Sequence, residues 1–185
     1  MNTPSAHFAR RRIALHWIMA LLFVAVYASI ELRVLFAKGT ELREAFKGWH
    51  FALGMLVLPL LALRLAARIG RPAPAITPPP LAWQQAAATA THLALYAWML
   101  AMPVAGWCLR NVEGKEVLLL GLQMPTLLLP DKALAKEIKH WHELAGQAGY
   151  ALIALHVVAA LVHHLVQRDS TLRRMWPAAR RGEAA

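Results

Sequence analysis

Nine histidines occur in this chain of 185 residues, and two of them lie on one stripe of an apolar helical stretch, WHELAGQAGYALIALH, from Trp141 to His156. Positions 142, 149, 156 and 163 are spaced by heptads and read His, Gly, His, His, while Gly146, Ile153 and Ala160 fill the intervening stripe positions. A period of seven keeps side chains on one helix face, and the helical rise over this stretch is about 21 Å, so His142 and His156 stand at two depths. Imidazole is a ligand for iron in haem, and glycines beside it remove the side-chain bulk that a flat ring would meet. The stripe is therefore a face that can hold two flat cofactors, one above the other.

Such a face needs partner helices, and the composition says in what solvent they stand. The chain is 58% hydrophobic and 16% charged, with mean hydropathy +0.42, which excludes an ordinary soluble domain and points to a membrane protein of one domain. The net charge of +10 comes from cations beside apolar segments rather than from basic patches interleaved with aromatics, so a lipid surface, not nucleic acid, is the expected partner. The single cysteine, Cys108, excludes an internal disulfide, a zinc cluster of several cysteines and the C-x-x-C-H attachment of covalent haem. No phosphate-binding loop, dinucleotide glycine fingerprint or Ser-His-Asp signature is present.

Four segments read as membrane-spanning helices, at residues 13–35, 47–67, 85–109 and 139–166, each near the ~20 residues needed to cross a bilayer. The expected architecture is an all-α, four-helix membrane bundle over the whole of 1–185. The proline-rich linker from Arg71 to Pro80 cannot continue a helix and forms a turn. Residues 110–136 form the longest connection, with Asp131 placed to cap the helix that carries His142. One side would carry Arg10, Arg11, Arg12, Arg64, Arg68, Arg71, Arg168, Arg173, Arg174, Arg180 and Arg181 against two acids, Asp169 and Glu183. That asymmetry near the spans puts both termini in the cytoplasm. Trp17, Trp83 and Trp176 then mark the inner boundary and Trp49, Trp107 and Trp141 the outer. A cleaved signal peptide competes for the N-terminus, but the apolar run is long for one and cleavage would discard His16.

Ionisable side chains within a membrane are costly unless partnered, so each intramembrane histidine is a candidate for function. The topology sorts them by depth: His50 and His142 fall at the outer level, His16 and His156 at the inner. Two neutral imidazoles on neighbouring helices at one depth are what a non-covalent haem b requires, and the pattern supplies them twice. Gly54, one turn after His50, together with Gly146 and Gly149, would leave room for the porphyrins. Arg10 and Arg64 are candidates to pair haem propionates, with lipid phosphate as their other use. His92 competes with His16 at the inner level, the alternative being a hydrogen bond to a propionate or a neighbouring helix. His163, one heptad inward of His156, could serve a quinone or relay protons. Lys132, Lys136 and Lys139 form a basic strip before His142 that could steer a small anion, or simply a solvated helix face. His7, His140 and His164 read as solvent or headgroup residues. Plain helix packing by all of these histidines, in a haem-free structural or transport protein, is the rival interpretation.

Several stretches carry a resemblance: RRRIALHW, GWHFALGM with LRLAARIGRPAP, THLALYAWMLAMPVAG, and WHELAGQAGYALIALHVVAALVHHLVQRDSTLRRMWP. Together they resemble the bacterial cytochrome b561 family, four-helix membrane proteins with two haems b, over nearly the whole chain. The resemblance implies that His16, His50, His142 and His156 are the iron ligands. The DSTLRRMWP ending is similar to that of members that oxidise superoxide on the periplasmic side of the inner membrane and reduce ubiquinone. It also allows a non-catalytic subunit that shuttles electrons from another periplasmic donor to the quinone pool.

Overall fold

The computed structural model describes residues 8–70 and 72–176. Arg71, Arg180, Arg181 and Glu183, which enter the charge asymmetry, and His7 lie outside the described residues. Four long helices dominate: α1 (Arg10–Leu32), α2 (Glu41–Ala66), α3 (Ala82–Val112) and α4 (Lys132–Leu165). All four are long and apolar enough to cross a membrane. Large apolar side chains such as Leu21, Val24, Leu93 and Leu155 are exposed along them, as helices solvated by lipid require.

The helices reach beyond the apolar runs because their ends are capped by polar chemistry. α2 begins six residues before the expected span, with Glu41 and Glu44 in its first turn, where carboxylates favour the positive end of the helix dipole. α3 begins where the Leu81 N–H donates to the Gln84 side chain at 2.9 Å. Asp131 caps α4 as expected, its carboxylate accepting from the N–H groups of Ala133 at 2.8 Å and Leu134 at 3.0 Å. Pro59 and Pro103 lie inside α2 and α3, each removing one backbone donor from its ladder.

α1 packs against α2, α2 against α3 and α3 against α4, whereas α4 approaches α1 and α2 much less closely. The buried core, Met19, Val57, Leu61 and Met99, accordingly belongs to α1, α2 and α3. Gly149 is the one buried residue of α4. The end of the bundle bearing the start of α1 and the close of α4 is called here the terminal end, and the other the loop end.

At the loop end, residues 113–131 carry a small antiparallel hairpin, β1 (Leu118–Leu119) and β2 (Leu122–Gln123), with Leu119 opposite Leu122. Its two-residue turn is Leu120 and Gly121, at φ 52° and 82°. Positive φ at both positions is the turn geometry that matches the twist of paired strands. At the terminal end, residues 167–176 reverse direction through Arg168 and strap the bundle. Ser170 and Thr77 exchange hydrogen bonds at 3.0 and 2.9 Å, the Arg174 guanidinium donates to the Pro74 carbonyl, and the Trp17 indole donates to Met175 O at 3.0 Å.

Candidate functional site

α4 stands off from α1 and α2, and histidines face one another across the intervening space. His50 on α2 and His142 on α4 have ring centres 6.3 Å apart; His16 on α1 and His156 on α4 have theirs 6.2 Å apart. An iron–imidazole bond is about 2.0 Å and a ring nitrogen lies about 1.1 Å from its ring centre, so two axial histidines on one iron have centres roughly 6.2 Å apart. Both pairs have that spacing.

At the loop-end pair, His50 Nδ1 lies 3.0 Å from the Val26 carbonyl. A carbonyl only accepts, so Nδ1 carries the proton and Nε2 is left with its lone pair for a metal. His142 Nδ1 is buried without a partner among the described residues, and the ring packs beside Gly106 on α3, where a Cβ would lie 3.5 Å from His142 Cε1, an ordinary contact. A ring nitrogen of each histidine is thus left without a protein partner among the described residues, which is compatible with ligation of a further group. Gly54 would meet no atom within 4 Å, which leaves open space one turn from His50. A Cβ on Gly146 would lie 3.7 Å from Met102 Cε, an ordinary contact.

The terminal-end pair has further company. His92 on α3 sits with its ring centre 5.4 Å from that of His156. Arg64 Nη1 lies 3.2 Å from His16 Nδ1 and 3.5 Å from the His16 carbonyl. A guanidinium only donates, so Nδ1 accepts here and the neutral ring carries its proton on Nε2. That contact competes with iron binding through Nε2; a carboxylate would be a better partner for Arg64 and would release it.

One expectation is corrected. Gly149 does not leave room for a porphyrin: a Cβ there would run into Trp98 and the Tyr27 hydroxyl, so its missing side chain is filled by protein. Trp98 donates to the Ala145 carbonyl at 3.0 Å and Tyr27 to the Gly146 carbonyl at 2.8 Å, their rings lying within 6° of parallel. With Phe23 and Tyr150 they form an aromatic layer between the two histidine levels. Arg10 is exposed at the first residue of α1 and lies roughly 120° around the helix from His16. Its neighbour Arg12 instead caps α2, donating to Ala67 O at 2.8 Å and Arg68 O at 2.9 Å.

His163 Nδ1 is 2.5 Å from a carboxylate oxygen of Asp169, which is 2% exposed. Burial pushes the Asp169 carboxyl up, but hydrogen bonds from His163 and Thr171 outweigh it and hold the carboxyl below its ordinary value. The same Asp169 lines a cavity of about 300 Å³ with Gln84, Gln167 and the Pro78–Pro80 turn. Lys132, Lys136 and Lys139 are exposed on α4, with Lys139 3.9 Å from Glu143. The sequence reading missed Trp98, Tyr27, Gly106 and Asp169; only the partnerless glycine spacing on α4 hinted at the first two.

A four-helix membrane bundle with histidines paired across its interior at two levels defines a membrane cytochrome of electron transport. The chain belongs to the prokaryotic cytochrome b561 family, which it matches over residues 7–178, and haem b is the cofactor the family implies. It is 41% identical over 171 residues to cytochrome b561 homolog 1 of Escherichia coli K12, covering 92% of this chain and 97% of that one. It is 32% identical over 166 residues to a probable superoxide oxidase, CybB, of Yersinia pestis, covering 90% and 93%. Cytochrome b561 homolog 2 of Escherichia coli K12 is 27% identical over 182 residues, covering 94% and 93%.

Proposed function

We propose that the protein is a dihaem oxidoreductase of the bacterial inner membrane that oxidises superoxide at its loop end, facing the periplasm, and reduces ubiquinone at its terminal end, facing the cytoplasm. The observation that carries this reading is the pair of inter-ring distances, 6.3 Å for His50 with His142 and 6.2 Å for His16 with His156, each suited to one iron. When bound, the two haems supply the one-electron exchange that joins the half-reactions. Two superoxide anions yield two dioxygen molecules and two electrons; ubiquinone takes both electrons and two protons to become ubiquinol.

The chain's own contribution is placement, charge and protons. Val26 fixes the tautomer and rotation of His50. Arg64 is assigned to a propionate of the terminal-end haem, its contact with His16 giving way, and His92 to the second shell of that haem. Superoxide is an anion that needs no dedicated acid or base to surrender an electron. Lys132, Lys136 and Lys139 raise its local concentration. Quinone reduction does consume protons, and His163, held by Asp169 beside the 300 Å³ cavity, is assigned to deliver them. What favours superoxide over another periplasmic donor is the name of the Yersinia relative, aligned over 90% of this chain.

The test is stopped-flow mixing of the purified, oxidised protein with superoxide. Haem reduction within the mixing time, followed by reoxidation on adding ubiquinone, is expected. Reduction by a soluble redox partner but none by superoxide would establish the electron-shuttle reading instead. A protein purified without haem that fails to bind it would refute both.

A further inference from the structure

Two arginines at the loop end have no part in the reading above. Arg33 opens the 3-10 turn that follows α1, and Arg110 lies in the last turn of α3. Both are half-buried, and in each the guanidinium Nε is buried without a hydrogen-bond partner. Among the described residues neither forms an ion pair, and Arg110 makes only a long 3.4 Å bond to Glu116 O. A buried guanidinium nitrogen with no acceptor is costly, and the same stretch of the bundle holds the unpartnered Nδ1 of His142. Three buried polar nitrogens at this end of the bundle thus lack a partner among the described residues.

Both arginines follow, at helical spacing, residues that touch that pair. α3 runs toward the loop end, and a helical side chain tilts toward the start of its own helix, so Arg110 slopes back into the bundle, while Arg33 stands in the turn that follows α1. Val26, whose carbonyl holds His50, precedes Arg33 by about two turns on the same face. Gly106, which abuts His142, precedes Arg110 by one turn. Arg110 Cζ stands 5.0 Å from the centre of the ring of Phe51, the residue next to His50.

We propose that Arg33 and Arg110 form a carboxylate clamp for the two propionates of the porphyrin held by His50 and His142. The inference rests on the two-haem reading. Two planar guanidiniums, each able to bind a carboxylate bidentately, answer two carboxylates on one edge of the ring. Exposed lysines such as Lys132 lack that fork. Two cations beside the ring also favour the electron-richer ferrous state, so the clamp raises the potential of the loop-end haem.

The test uses purified, haem-loaded protein with R33Q, R110Q, the double substitution and the corresponding lysine variants. Haem loss to apomyoglobin and the ferrous fraction of each haem at fixed ambient potential are measured. In the double glutamine variant the loop-end haem is expected to leave at least tenfold faster. Its ferrous-to-ferric ratio should fall about tenfold, equivalent to 59 mV for a one-electron couple, with the other haem unchanged. The lysine variants should keep the potential, since charge is kept, and lose haem faster, since the fork is lost. Unchanged haem loss and potential in the double variant would overturn the clamp. So would a change confined to chloride competition with superoxide, which would assign the arginines to a diffusing anion. His50→Ala separates the clamp from its premise: if this variant retains both haems, the ligand pairing has failed; if it loses one while the arginine variants are silent, the clamp alone has.

Discussion

Gly149→Ala and Gly54→Ala are the same chemical change on two helices, yet the structure demands opposite outcomes. At Gly149 the new methyl would occupy space already held by Trp98 and the Tyr27 hydroxyl. Both side chains must move, and both are anchored to α4 carbonyls, at Ala145 and Gly146. Overpacking costs typically 1–3 kcal/mol and each strained hydrogen bond about 1 kcal/mol, while alanine regains about 1 kcal/mol of helix propensity, for a net loss of roughly 3 kcal/mol. The loss should be the same with and without haem, because the contact is protein on protein. At Gly54 no atom lies within 4 Å, so the haem-free protein should gain up to about 1 kcal/mol. Haem affinity should fall there, because the methyl enters the space beside His50. Equilibrium unfolding of haem-free and haem-loaded protein in mixed micelles reads all four quantities. Trp98→Phe in the Gly149→Ala background should restore part of the loss by returning volume. A Gly149→Ala protein as stable as the wild type, or one destabilised only when haem is bound, would refute the aromatic layer.

Three further outcomes are expected. His50→Ala and His142→Ala should each remove one and the same haem, and His16→Ala and His156→Ala the other, read by pyridine haemochromogen content; His92→Ala should keep two haems. Asp169→Asn should loosen the terminal strap by about 2 kcal/mol at neutral pH, the worth of a charge-assisted hydrogen bond. Because the folded carboxyl lies below its ordinary value, that contribution is present above about pH 4 and is lost as pH falls through the lowered value, so variant and wild type should converge in acid when followed by Trp17 or Trp176 fluorescence. Replacing Lys132, Lys136 and Lys139 with glutamine should slow the reaction with superoxide several-fold at low salt, and the difference should vanish near 1 M salt, where the Debye length is about 3 Å.

The depth of each histidine was legible because it depends only on span order and helical rise. His50 and His142 meet since α2 and α4 both enter from the loop end and carry their histidines near the start of the apolar run. Space, by contrast, is not legible from a glycine. Gly54 and Gly149 look alike in sequence, and what fills the second is Trp98 from α3 and Tyr27 from α1, whose register no local pattern encodes. The hairpin escaped for a different reason. Its turn places Leu120 at positive φ, where asparagine or aspartate is the usual signal. The His163–Asp169 pair escaped because a separation of six is not a helical neighbour; it forms only after Arg168, at φ 55°, turns the chain back.

One helix supplies a histidine to each pair, and this ties the geometry of the two levels together. α4 has little core of its own, so its rotation about its axis must be held by other means. The Trp98 and Tyr27 hydrogen bonds to consecutive carbonyls of α4, one turn past His142 on the way to His156, hold that rotation. Tyr150 adds a third tie, donating to Glu31 of α1 at 2.8 Å. A twist of α4 would carry His142 and His156 off their partners together, because both lie on the same stripe. The aromatic layer therefore stands where one set of contacts can keep both inter-ring distances near 6.2 Å, while α4 remains far enough from α1 and α2 for a flat group to enter.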